Sequence, residues 1–303
     1  MDIGTIGVIG IGTMGSGIVE VAARNGLRVV AQEASPDLVE AGRSRVEGSM
    51  DRGVARGKLD EATRDAASAA VTWTTDLGDL AGCDSGAGGR AEILALKLEI
   101  FGVLDRVLDP SAIMATNTSS IPIIDVAMGT TRPQQVLGMH FFNPATVMKL
   151  VEVISTQLTA PEVTEAATAF AADTLGKRVV AAPDRAGFVV NKLLVPYICQ
   201  AIEMYESGHA SAADIDDAMN WGPGTRWGRS PSPTSSGSTC ACSRPSRCTR
   251  STRSGSTRRR RCCAAWSPRA AWAARPAAAS TSTEPAGRGS APRPRRHGPR
   301  RPL

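Results

Sequence analysis

The stretch Thr5-Ile6-Gly7-Val8-Ile9-Gly10-Ile11-Gly12-Thr13-Met14-Gly15 decides the fold. Thr5 to Ile9 is a short apolar strand that runs directly into a G-x-G-x-x-G turn. Ser16 to Asn25 then carries apolar residues at helical spacing (Ile18, Val21, Ala22) and stops at Gly26. Strand, glycine turn and helix in that order open a dinucleotide-binding βαβ unit. Gly10 allows the tight turn, Gly12 lets main chain approach a pyrophosphate, and Gly15 lets helix and strand close on each other. Thr13 and Met14 begin the helix, whose unpaired first-turn N–H groups and positive dipole end suit an anion. Leu27 to Ala31 reads as a second buried strand, with Glu33 just beyond it. A carboxylate at that place accepts from both ribose hydroxyls and repels a 2′-phosphate, so the motif selects NAD over NADP.

Outward from this unit, strands and helices alternate. Ser35-Pro36-Asp37 is an N-cap with proline in the first turn, opening a helix to about Arg56. Val71 to Thr75, Ala112 to Thr116, Gln135 to Phe141, Leu150 to Ile154 and Arg178 to Ala181 read as strands. Leu94 to Leu108, Ile121 to Met128, Pro161 to Leu175 and Gly187 to Ser207 read as helices, and Ser211-Ala-Ala-Asp214 starts a last one ending near Trp221. The pattern predicts an α/β protein with a doubly wound, mainly parallel Rossmann-type sheet over residues 1–183. A helical domain follows from 184 and is intact only to 224. One strand is expected to be missing. Asp84-Ser-Gly-Ala-Gly-Gly-Arg-Ala-Glu92 stands where the fourth strand belongs, and it has almost no side chain to bury, which predicts either a loop or a segment made defective by a second local lesion in the frame.

The overall charge of +6 hides a break in the chain. Residues 1–221 hold 17 Lys and Arg against 28 Asp and Glu, whereas residues 222–303 hold 18 Arg, no Lys and one acid, Glu284. Five of the seven Cys also lie in that last part. The basic balance therefore describes the tail and says nothing of the folded body. Residues 225–303 show no usable periodicity and contain no Ile or Val. They read best as translation out of frame. Shifted by one nucleotide, GC-rich codons for Thr225 to Ser238 yield H-P-M-G-P-L-A-L-A-D-L-I-G-L, a string with restored helical periodicity. A disordered tail without function, and a basic arm for nucleic acid, are the weaker alternatives. No apolar run is long enough to span a membrane, and Met1 leads straight into a strand without a secretory leader, so a cytoplasmic location is expected.

Three further constellations carry chemistry. In His140-Phe-Phe-Asn143-Pro-Ala-Thr-Val-Met-Lys149-Leu-Val-Glu152, His140 ends one strand and Glu152 lies in the next. Neighbouring strands can pair the imidazole with the carboxylate, which fixes the tautomer and stabilises imidazolium, as a general base for an alcohol proton requires. Taken alone, such a pair is more often structural; beside a dinucleotide site the reading reverses. Asn117-Thr-Ser119-Ser120 follows a strand and can hold a substrate oxygen, or simply cap a helix. Asn191 is a polar amide in an apolar helix and must find partners, structural or in the substrate.

These motifs together resemble the NAD-dependent 3-hydroxyacyl-CoA dehydrogenases, with the 3-hydroxybutyryl-CoA branch the nearest. The resemblance rests on the glycine turn with Met14, Asn117-Thr-Ser-Ser120, His140-Phe-Phe-Asn-Pro144, Met148-Lys-Leu-Val-Glu152 and Gly187-Phe-Val-Val-Asn191, and it covers residues 3–84 and 93–221. It implies oxidation of a 3-hydroxyacyl-CoA to the 3-oxoacyl-CoA, in fatty acid or butanoate metabolism. His140 is then the base and Glu152 its partner. Ser119 and Asn191 bind the reacting oxygen and acyl group, Asn143 supports the site, and Asn117 joins the cofactor contacts. The helical part is then of the type that closes 6-phosphogluconate dehydrogenases, and a homodimer is implied. Two departures stand out: the family's apolar fourth strand, ending in Glu-Ala-Val-type residues beside the nicotinamide ribose, and its C-terminal helices are both missing. A related 3-hydroxy-acid dehydrogenase using a Lys base, and an inactive NAD-binding remnant, are the competing readings. No metal site is expected.

Overall fold

The computed structural model describes residues 3–88 and 92–222, all within one unit of the chain. The expectations for residues 225–303 fall outside the described residues. In chain order the elements are β1 (Thr5–Ile9), α1 (Thr13–Arg24), β2 (Arg28–Gln32), α2 (Pro36–Ala55), α3 (Glu61–Ala69), β3 (Val71–Thr74) and β4 (Ser85–Gly88). There follow α4 (Leu94–Val107), β5 (Ile113–Thr116), α5 (Ile123–Ala127), β6 (Val136–Phe141), β7 (Leu150–Ser155), α6 (Pro161–Ala169), β8 (Arg178–Pro183), α7 (Val190–Glu206) and α8 (Ala212–Trp221).

The strands form one sheet in the order β3-β2-β1-β4-β5-β6-β7-β8. All neighbours are parallel except β6 and β7, which pair antiparallel with His140 opposite Glu152. One face packs α1, α2 and α3 with the α6 side of the sheet, through Ile18, Val19, Ala22, Val46, Met50, Val163 and Ala167. The other packs α4 and α5 through Ile100, Phe101, Leu104, Ile123 and Val126. Apolar side chains on both faces of the strands explain the continuous, non-alternating runs Thr5–Ile9 and Val136–Phe141, each buried throughout.

The fourth strand is present, which corrects the expectation of a loop. Ser85–Gly88 pairs in parallel with β1 on one side and β5 on the other, Gly86 standing between Gly7 and Met114. Main-chain hydrogen bonds on both edges hold a central strand without help from side chains. Packing also favours a small residue: a Cβ on Gly86 would lie 3.1 Å from Leu108 Cδ1, so Leu104 of α4 and Leu108 just beyond it fill the space a side chain would have used. The helix expected over Pro161 to Leu175 is α6 followed by a π-type turn, Phe170–Thr174. Helices α7 and α8 form as expected but contain no buried residue; Leu193 and Trp221 are largely exposed.

Candidate active site

The glycine turn leads from β1 to α1. Gly10 has φ +86°, a conformation that favours glycine, and its N–H donates to Gln32 O at 2.9 Å, tying the turn to the end of β2. A Cβ on Gly15 would stand 1.9 Å from Gly10 O, whereas one on Gly12 would meet nothing among the described residues within 4 Å. Glycine at 15 is thus required by the fold, whereas the described residues place no such demand at 12. Gly12 caps α1 with no side-chain acceptor, so first-turn N–H groups at Thr13 and Met14 are left for a ligand. Thr13 is exposed and Met14 packs partly against the core. Glu33 is buried, and Oε1 accepts from Ile11 N at 2.7 Å while Oε2 accepts from Ala34 N at 3.1 Å. The carboxylate therefore shapes the turn itself. This cradle fits a dinucleotide pyrophosphate.

The second half of the site stands on the ends of β5, β6 and β7. His140 Nδ1 lies 2.7 Å from Glu152 Oε2, and both residues are buried, Glu152 completely. An ionised carboxylate only accepts, so Nδ1 carries the proton and Nε2 is left basic. Nε2 faces Ser119 Oγ at 3.1 Å. The other oxygen of Glu152, Oε1, accepts from Val189 N at 3.0 Å and Val190 N at 2.9 Å, at the start of α7. Burial opposes the charge on Glu152. The hydrogen bond with His140 and those from Val190 and Val189 outweigh it, and the carboxyl titrates below its ordinary 4.5. A carboxyl with a lowered folded pKa adds stability above its unfolded value and loses it as pH falls through the folded value. Thermal unfolding from pH 7 downwards should therefore show Tm falling in excess below about pH 4.5. In Glu152→Gln that excess slope should vanish, and an unchanged slope would refute the assignment.

Of the remaining expected site residues, Asn117 Oδ1 accepts from Phe141 N at 2.7 Å, joining β5 to β6 just behind the imidazole. Asn143 is exposed and lies near the start of the loop leading to β7. Asn191 lies in the first turn of α7, directly after the two N–H groups that Glu152 holds. Three residues escaped the sequence reading. Glu92, in the stretch expected to be defective, accepts from Thr118 Oγ1 at 2.5 Å and from Ser119 N at 3.3 Å. It thereby orders the hydroxyl that meets His140. Lys97, one turn into α4, is buried; burial lowers its pKa and the neighbouring Glu92 charge works in the opposite direction. Phe188 rests on His140. The signal for Glu92 was position alone, an acid between a strand end and a helix start.

A profile of the 3-hydroxyacyl-CoA dehydrogenase NAD-binding domain matches residues 5–185, and that of the family's C-terminal domain matches 187–230. The chain belongs to the 3-hydroxyacyl-CoA dehydrogenase family. It is 49% identical over 215 residues to a 3-hydroxybutyryl-CoA dehydrogenase of Mycobacterium tuberculosis, covering 71% of this chain and 75% of that one. It is 41% identical over 224 residues to the human mitochondrial hydroxyacyl-coenzyme A dehydrogenase, covering 72% and 71%. The crystal structure of (S)-3-hydroxybutyryl-CoA dehydrogenase PaaH1 from Ralstonia eutropha superimposes with a TM-score of 0.70 at 38% identity, covering 73% of this chain and 78% of that one. This 3-hydroxyacyl-CoA dehydrogenase is an NAD-dependent oxidoreductase, as the glycine turn and Glu33 suggested. Among the described residues no helix is long and apolar enough to cross a membrane, and no cluster of His, Cys, Asp or Glu could hold a metal ion.

Proposed function

We propose that His140 is the general base in oxidation of 3-hydroxybutyryl-CoA and related short 3-hydroxyacyl-CoA thioesters. The observation that carries this reading is the imidazole bonded at Nδ1 by a buried carboxylate and at Nε2 by a hydroxyl. Ser119 Oγ marks the place of the C3 oxygen. Nε2 takes the hydroxyl proton, and Glu152 stabilises the imidazolium that results. NAD, when bound, supplies the hydride acceptor. Gly10, Gly12, Thr13, Met14 and Gly15 would hold its pyrophosphate, Glu33 its ribose, and Asn117 the wall behind it. Ser119 and Asn191 would hold the substrate oxygens, with Asn143 supporting them. The division into domains at 183/184 belongs to the same proposal, and the two profiles meeting at 185 and 187 support it. The uncovered apolar side chains of α7 and α8 support a homodimer.

The carrier also has a candidate place. A cavity of about 740 Å³ lies between the end of α1, the α2–α3 turn and the loop before β7, with Arg24, Lys58, Thr63, Thr146 and Lys177 in its wall. Lys177 Nζ spends its hydrogen bonds on Ala145 O at 2.6 Å and Met148 O at 3.0 Å. Lys58 is left to meet phosphate, and Arg24, which pairs with Glu20 at 3.2 Å, adds a second positive charge to the wall. Acetoacetyl-CoA should thus be reduced far faster than free acetoacetate. In Arg24→Gln/Lys58→Gln the KM for acetoacetyl-CoA should rise about fivefold, roughly 1 kcal/mol, with the KM for NADH unchanged. Equal rates on both substrates would remove the thioester from the proposal.

A further inference from the structure

Phe188 has φ +44°, a left-handed conformation that residues with a Cβ seldom adopt, and it follows Gly187 at φ +79°. Such backbone persists only where the surroundings over-determine it. Here they do. Val189 and Val190, the next two residues, give their N–H groups to Glu152 Oε1, and Phe188 N donates to Arg185 O at 2.9 Å. The side chain so placed is buried, and its ring centroid stands 5.5 Å from that of His140 at an interplanar angle of 59°. Phe142 reaches the same imidazole at 4.6 Å and 62°. The carboxylate that holds Nδ1 therefore also holds the strained segment whose ring leans on the imidazole.

We propose that Phe188 is a positioning residue. With Phe142 it confines the imidazole to the one orientation in which Nδ1 meets Glu152 and Nε2 meets the reacting hydroxyl. This rests on His140 being the base. The two hydrogen bonds fix the ring nitrogens only as well as each bond tolerates bending, so the ring can still rock about its Cβ–Cγ bond, and aromatic neighbours at tilted and edge geometry resist that rocking. Small misplacement of a proton acceptor is costly because transfer depends steeply on distance and alignment.

The test uses the full chain with acetoacetyl-CoA and NADH. Phe188→Ala should lower kcat about tenfold or more, with NADH affinity, read by its fluorescence, within twofold of the original. Phe188→Leu, which keeps most of the volume without the flat ring, should also fall, and Phe188→Tyr should recover most of the rate. An unchanged kcat in Phe188→Ala overturns the proposal. So does loss of NADH binding together with kcat in both Phe188→Ala and Phe188→Leu, since the ring would then only support the fold. His140→Gln run in parallel separates the two levels: full turnover there defeats the base assignment, whereas its loss beside an unaffected Phe188→Ala defeats only this inference.

Discussion

His140→Gln should lower turnover of acetoacetyl-CoA by about 10³- to 10⁴-fold while NADH still binds. The amide can replace the hydrogen bond to Glu152 but cannot accept and release a proton at neutral pH. The residue stands at the end of β6, several strands from the glycine turn, so the cofactor's phosphates do not feel the change. Nor does the core, because glutamine keeps a polar partner for the buried carboxylate. Stopped-flow reduction together with NADH fluorescence titration measures both halves of the expectation. Turnover within tenfold of the original would reject the assignment.

The second large effect is expected at the glycine turn, where two glycines should respond in opposite ways. In Gly15→Ala the new methyl would stand 1.9 Å from a main-chain oxygen, Gly10 O, and no side chain can move aside to relieve it. Turn and helix must separate, which should cost about 3 kcal/mol or more and appear as a fall in Tm along with lost NADH binding. In Gly12→Ala the methyl meets no atom of the described residues within 4 Å, so stability should hold while NADH affinity falls at least tenfold. Equal NADH affinity in Gly12→Ala would show that the open space at Gly12 is not where the phosphates lie.

The part of the fold that depends on side-chain pattern was readable in the sequence. Thr5–Ile9 and Val136–Phe141 are buried on both faces, and their runs say so. The pairing of His140 with Glu152 followed from their places on consecutive strands, and the register sets them opposite each other. Ser85–Gly88 was not readable, because a strand held by its main chain alone leaves no mark in side-chain pattern. Glu92 was passed over for the same reason, standing beyond a stretch that looked defective. Phe188 was hidden for another reason. Its place beside His140 depends on a positive φ, and in an apolar run Gly-Phe-Val-Val it looks like any helix residue. Asn117, which the resemblance places among the cofactor contacts, gives its oxygen to the main chain of β6, a bond that no sequence pattern announces.

The two oxygens of Glu152 serve different masters, one the imidazole of His140 and the other the N–H groups of Val189 and Val190 where α7 begins. A protease cut in the stretch between β8 and α7 would therefore be felt at the imidazole. Once Val189 and Val190 drift away, one oxygen loses its donors and the charge is free to swing. Catalysis would then fade although every group that meets the substrate is still in the chain.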